Sequence, residues 1–343
     1  MNLPSTPAAA RQLVRAGYQI PLFTYPNTAP EDLFARVVDQ ARAAEESGFD
    51  SVWVMDHFWQ LPMLGPTELE MLEGYTTLGA LAMVTERVRL GTLVTGVTYR
   101  NPALLAKIVT TLDVASRGRA ICGIGAAWFE EEHVGLGVDF PPLAVRFEML
   151  SEALEILRAM FRDERPTFEG EHYRVESAIN SPAPLQDGGV PIMVGGSGEK
   201  KTLPMGASTA DAINLSAGRS ELSRKVDVIN SALGTAGRSR DEINVSWLCT
   251  LVLGDDGADA EQRLRDMVSS RGMDPSMLDD ESVRPMVLDR IIVGDADSAV
   301  TQLRDAASAG LDGIIVNLPA DGGSTDAVRS AAEVVLAAVP DPA

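Results

Sequence analysis

Short apolar runs alternate with amphipathic stretches along nearly the whole chain. Residues 17–23 predict a first strand. Residues 30–47 follow as a helix, with Pro30 suited to the first turn, an apolar face of Phe34, Val37, Val38 and Ala41, and Gly48 as the stop. The same alternation predicts strands over 50–55, 88–94, 119–124, 191–194, 212–215, 245–253 and 313–317. Helices are predicted over 75–85, 102–116, 143–161, 199–207, 219–233, 296–309 and 325–339. Two stretches break the rhythm. Residues 162–189 carry several Pro and Gly residues around GEHYRVESA, which reads as a short hairpin arm, and 255–290 is Asp-rich and irregular after one helix.

Eight strands, nearly continuous in apolar residues and separated by helices, imply a parallel sheet covered on both faces. An α/β fold of the TIM (β/α)8 barrel type satisfies the count, and 343 residues suit one such barrel with insertions, over about 250 residues. A doubly wound open sheet is the alternative. Nothing in the composition marks a domain boundary. The expectation is one domain over 1–343 with rim insertions at about 162–189 and 255–290.

Charge narrows the partners. Forty-nine Asp and Glu against 29 Lys and Arg give a net charge of −20, which repels nucleic acid and anionic membrane surfaces. An anionic small molecule could still bind through a local set of amide donors. Cys122 and Cys249 sit in apolar runs and read as small core residues, and no metal-type Cys/His spacing occurs. The Ala/Pro-rich start reads poorly as a signal peptide, and no apolar run approaches the roughly 20 residues of a membrane span. A cytoplasmic protein is the expectation.

In such a barrel the chemistry gathers where strands end. The second strand runs into Asp56-His57. His57 is the candidate catalytic residue, because imidazole is the side chain suited to proton exchange near neutrality; a hydrogen-bonded structural histidine is the competing reading. His133 and His172 read as solvated. The third strand runs into Thr95, Gly96 and Val97, where a strand could deform and present backbone to a flat ring. The fourth ends in Gly125, Ala126 and Trp128, the last able to wall the same pocket. After the fifth comes Gly195-Gly196-Ser197-Gly198 and a helix start, a place where backbone amides could hold an anion, with Lys200 or Lys201 as counter-charge. The run is neither GxGxxG nor a P-loop, which argues against a nicotinamide Rossmann site and an NTPase.

At these strand ends the chain resembles the luciferase-like monooxygenase superfamily, and within it the F420-dependent oxidoreductases. The carrying segments are AEESGFDSVWVMDHF, ERVRLGTLVTGVTYRNPALLAKIVTTLDVASRGRAICGIGAAWFEEEH and PIMVGGSGEKKTL. The resemblance implies a barrel holding coenzyme F420, or alternatively FMN, at the strand ends, and a homodimer. It implies that Asp56, Thr95, Gly96, Val97, Gly125, Ala126, Trp128, Gly195, Gly196, Ser197 and Gly198 contact the cofactor. It also implies a non-prolyl cis peptide bulge, placed at Gly96–Val97. One departure stands out. The sugar-phosphate dehydrogenases of this branch carry an acidic glutamate where this chain has Ala126, and Glu130 or Glu131 is the candidate substitute. The implied reaction moves a hydride between reduced F420 and a small imine, enone, ketone or alcohol. The alternatives are an FMN-dependent monooxygenase and a non-catalytic cofactor carrier.

Overall fold

A computed structural model describes residues 13–162 and 164–339. The Ala/Pro-rich start and the outermost ends of the expected 1–343 domain lie largely outside them. The chain opens with β1 (Ala16–Ile20), α1 (Leu33–Glu46), β2 (Ser51–Val54), α2 (Gly74–Ala82), β3 (Arg89–Thr92), β4 (Thr95–Gly96), α3 (Pro102–Ala115) and β5 (Ala120–Gly125). Two helices follow, α4 (Glu130–Leu136) and α5 (Leu143–Phe161), then a hairpin arm of β6 (Phe168–Glu169) and β7 (Arg174–Val175). The second half holds β8 (Ile192–Gly195), α6 (Thr202–Thr209), β9 (Ala212–Leu215), α7 (Leu222–Ala236) and β10 (Asn244–Leu253). It ends with α8 (Gly257–Ser270), α9 (Arg284–Leu288), β11 (Ile291–Gly294), α10 (Ala296–Ala307), β12 (Gly313–Asn317) and α11 (Thr325–Ala338).

Every pairing in the main sheet is parallel, in the order β1, β2, β3, β5, β8, β9, β10, β12, and β12 returns to β1. The sheet therefore closes into an eight-stranded barrel ringed by helices, and the open doubly wound alternative is set aside. The helices form because their apolar spacing buries one stripe against the strands. In α1 that stripe is Leu33, Val37, Ala41 and Ala44, and Gly48 at φ +97° turns the chain out of the helix. Cys122 and Cys249 are both buried in the core. The interior at the strand starts is filled by Trp53 with Ile121, Met193 and Ile315.

The strand-start rim is tied by one repeated device. Asp50, just ahead of β2, accepts the N–H groups of Arg15 and Ala16 at 2.7 and 3.0 Å. Asp211, ahead of β9, accepts Ile192 N–H at 2.8 Å, and Asp312, ahead of β12, accepts Val245 N–H at 2.7 Å. Each aspartate thus satisfies the first free amide of the neighbouring strand, where the ladder has not yet begun.

Two elements depart from the sequence expectation. The irregular 255–290 stretch leads into a ninth parallel strand, β11, which pairs with Thr250 to Leu253 of β10. Thr250 also pairs with Asn317 of β12, so β11 lies on the opposite edge, continuing the line of β9 beyond its end. Four residues beside a polar stretch give too short a period to read. The helix expected from residue 199 starts at Thr202, which leaves a longer loop after β8.

Candidate functional site

The segments after β2, β3, β5 and β8 all emerge at the same mouth, because these strands are parallel neighbours in one closed barrel. His57 and Ser197 therefore lie at one end of the molecule. The wall between them is built without side chains. Gly123 and Gly125 of β5 and Gly195 of β8 face inward, and Val94 lies against them: a Cβ on Gly195 would sit 2.7 Å from Val94 Cγ1, and one on Gly125 2.9 Å from its Cγ2. Val94 was not among the residues predicted from sequence. The signal for it was the alternation of Gly123 and Gly125 on one strand with Gly195 beside them, a wall that something else must fill.

Val94 reaches that position through a bulge. Gly91 pairs with Ile121 and Thr95 with Ile124, so four steps on one strand oppose three on the other. The cis peptide bond is Leu93–Val94, within the bulge, rather than Gly96–Val97. The expectation came from the resemblance and set the bulge three residues too late; Gly96 is regularly paired with Gly125. The Thr95 side chain turns away from the mouth: its hydroxyl meets Tyr75 Oη at 2.6 Å and Thr92 Oγ1 at 2.7 Å. Val97 is buried, and its carbonyl accepts the hydroxyl of Tyr173 from the hairpin arm at 3.1 Å. The arm is pinned in turn by Glu152 of α5, which accepts the N–H groups of Glu171 and Tyr173 at 2.8 and 2.9 Å.

The Asp56-His57 pair splits into two separate devices. Asp56 is buried and accepts Gly96 N–H at 3.2 Å and Arg100 Nη1 at 2.8 Å, while Arg100 Nη2 holds Glu73 at 2.8 Å and the guanidinium lies over the Tyr75 ring. Burial raises the Asp56 carboxyl above its usual range, with Arg100 and the Gly96 amide opposing. Its Oδ1 is buried with no hydrogen-bond partner, so the carboxylate keeps one acceptor position unused.

His57 is held by a residue that the sequence reading passed over. Glu132 is buried; Oε1 accepts the N–H groups of Phe58 and Trp59 at 2.7 and 2.9 Å, and Oε2 accepts Tyr99 O–H and faces His57 Nδ1 at 3.3 Å. Burial pushes this carboxyl up, but hydrogen bonds from His57, Tyr99, Trp59 and Phe58 outweigh it and hold it below the usual carboxylate range. An ionised carboxylate only accepts, so His57 Nδ1 carries its proton and Nε2 is left for the mouth. The expected substitutes Glu130 and Glu131 are solvent-exposed, because α4 turns only its Glu132 and His133 face inward. His133, expected to be solvated, is fully buried: its ring stacks on Tyr99 at 4.3 Å, and Nε2 meets Thr98 Oγ1 at 2.7 Å. A helix period of three to four over EEEH picks out this inward pair, but the acidic run masked it as a solvated start. His172 is half-exposed on the arm, 3.1 Å from Glu148.

Beyond Gly125, Arg146 donates to the carbonyls of Ala126, at 3.0 Å, and Ala127, fixing the turn that presents Trp128. Trp128 is 52% exposed, stacks on Phe129, and meets the His57 ring edge-on at 5.6 Å. After β8, Gly196 takes φ +135° and donates its N–H to the Asn214 carbonyl, while Ser197 Oγ accepts Ser216 N–H at 3.0 Å. Gly198 packs on Thr202 at the start of α6, whose positive end faces this loop. Lys200 and Lys201 are exposed beside it.

The luciferase-like monooxygenase family model matches residues 16–313, and the chain belongs to that family. An F420-dependent glucose-6-phosphate dehydrogenase of Kineococcus radiotolerans is 33% identical over 247 residues, 70% of this chain and 71% of that protein. Another of the same name, from Microbacterium testaceum, is 35% identical over 214 residues, and the match spans 61% of each chain. In fold the chain is similar to an F420-dependent secondary alcohol dehydrogenase solved with an F420–acetone adduct, with a TM-score of 0.77 at 22% identity over 95% of this chain and 99% of that one. It is equally similar to the monooxygenase RslO1 of Streptomyces bottropensis, with a TM-score of 0.77 at 21% identity over 94% and 98%.

Proposed function

We propose that this member of the luciferase-like monooxygenase family is an F420-dependent oxidoreductase acting on a small organic substrate. The relatives that are 33 and 35% identical over the aligned stretches carry that cofactor in their names, and the mouth supports the same reading. Val94, half-buried on the bulge, fills the space inside Gly123, Gly125 and Gly195 and would present an apolar face to a flat ring system. The loop from Gly195 to Gly198 and the start of α6 would hold a phosphate by amides and dipole rather than by charge, which suits a chain of net −20. Gly96, Val97, Ala126 and Ser197 complete the contact set by backbone or small side chains.

When bound, reduced F420 supplies a hydride. The protein's own part is to orient and to handle the proton. Glu132 fixes the His57 ring through Nδ1, so Nε2 gives a proton to, or takes one from, the substrate heteroatom. Tyr173 of the arm anchors the Val97 carbonyl just beyond β4. The observation that carries the reading is a histidine oriented by a buried carboxylate at the same mouth as the Val94 bulge. FMN at the same wall would make the protein a flavin monooxygenase instead.

Parallel titration of the purified protein with F420 and FMN tests the choice. F420 fluorescence should quench on binding, and His57→Ala should bind F420 as tightly yet lose turnover by about 10²–10⁴. Tight FMN binding without F420 affinity overturns the reading.

A further inference from the structure

We propose that the substrate is an uncharged, apolar carbonyl compound seated against Trp128; this rests on the F420 reading above for its redox half and on the surroundings of His57 for its class. The edge of the mouth at His57 is aromatic. Phe129 lies 5.9 Å from the His57 ring at 66°, and Trp128 stacks on Phe129 with half of its surface open. Beneath them Phe129 packs with Met55 and Leu61, and Trp59, Leu64 and Met71 flank that cluster.

The charges nearby speak against an anionic substrate. Arg100 is bound to both Asp56 and Glu73. Arg146 is taken up by backbone carbonyls and by the Phe140 ring at 3.9 Å. Neither guanidinium is left to grip a phosphate, and Glu132 adds a carboxylate beside His57. A phosphorylated sugar would meet repulsion and a greasy wall, whereas a flat neutral molecule would gain a ring face. Ala126 brings no proton donor to the end of β5, which leaves that part to His57.

The reaction balances with those parts. The carbonyl π bond breaks as its carbon accepts hydride from reduced deazaflavin, and its oxygen takes a proton from Nε2 of the imidazolium form of His57, whose Nδ1–H stays on Glu132. The product is an alcohol, the deazaflavin is oxidised by two electrons, and His57 is reprotonated from solvent.

Isothermal calorimetry on the protein without cofactor compares acetophenone with glucose 6-phosphate. Acetophenone should bind saturably and at least tenfold more tightly. Trp128→Ala should weaken it about tenfold, the loss of one stacked ring, while Trp128→Phe should hold it within about threefold. Turnover of acetophenone by reduced F420, followed by F420 absorbance, should exceed that of glucose 6-phosphate by 100-fold or more. Glucose 6-phosphate binding as tightly as acetophenone, or acetophenone binding that ignores Trp128→Ala, overturns the proposal. A protein that binds acetophenone through Trp128 but not F420 upholds the apolar wall and overturns the cofactor reading alone.

Discussion

Glu132→Gln keeps the size of the side chain and changes what it can do. The amide oxygen can still accept from Phe58 and Trp59, at 2.7 and 2.9 Å in the wild type. Those two bonds then fall from charge-assisted to neutral, a loss of about 1 kcal/mol each. The amide nitrogen now faces His57 Nδ1 and Tyr99 Oη as a donor. Tyr99 must turn its hydroxyl proton elsewhere, and His57 must present a bare Nδ1 and move its proton to Nε2. The expected cost in stability is about 2–3 kcal/mol by denaturant unfolding at neutral pH. The expected cost in kcat is about 10²–10⁴, with KM little changed, because the proton-transfer geometry is lost while the binding walls remain. Nitrogen NMR reads the tautomer directly, and three histidines make assignment tractable. The sign with pH is fixed too. The Glu132 carboxyl is lowered on folding, so its stabilisation is present above the usual carboxylate range and is lost as pH falls through the lowered folded value. The gap between wild type and Glu132→Gln should therefore close in acid. An Nδ1 proton retained in the variant together with wild-type kcat refutes the reasoning.

Two further perturbations probe the walls. Gly195→Ala drives a methyl into Val94 at 2.7 Å, which should cost about 1–3 kcal/mol and weaken F420 fluorescence quenching; adding Val94→Ala should restore stability, and failure of that rescue refutes the contact. Arg100→Met leaves Asp56 buried without its cation, so about 3–5 kcal/mol should be lost at neutral pH and less in acid, where Asp56 protonates; a pH-independent loss by urea titration contradicts the pairing.

Much of this was legible in the residues. Nearly continuous apolar runs placed the eight barrel strands, and the 3.6-residue period placed even the full extent of α5, Leu143–Phe161, because it buries an unbroken apolar stripe. The mouth followed from the rule that loops after strands converge, which put Asp56, His57, Gly125 and Gly195 together. What failed was local. β11 is four residues beside a polar stretch, below the length at which a period shows. Glu132 and His133 sit in an acidic run that reads as solvated until the helix phase is known. The bulge at Leu93–Val94 is invisible in VRLGTLVTG, since both residues are apolar and either parity buries one of them.

That one surplus residue sets the phase of everything after it. Before the bulge, Gly91 lies beside Ile121 and faces the interior; after it, Gly96 rather than Thr95 lies beside inward-facing Gly125. Odd positions point in on one side of the step and even positions on the other. Removing a single residue there would rotate Thr95 into the glycine wall and carry Gly96 out to the helices. Lineages descending from this chain can therefore remodel the wall at Val94 only by exchanging one side chain for another.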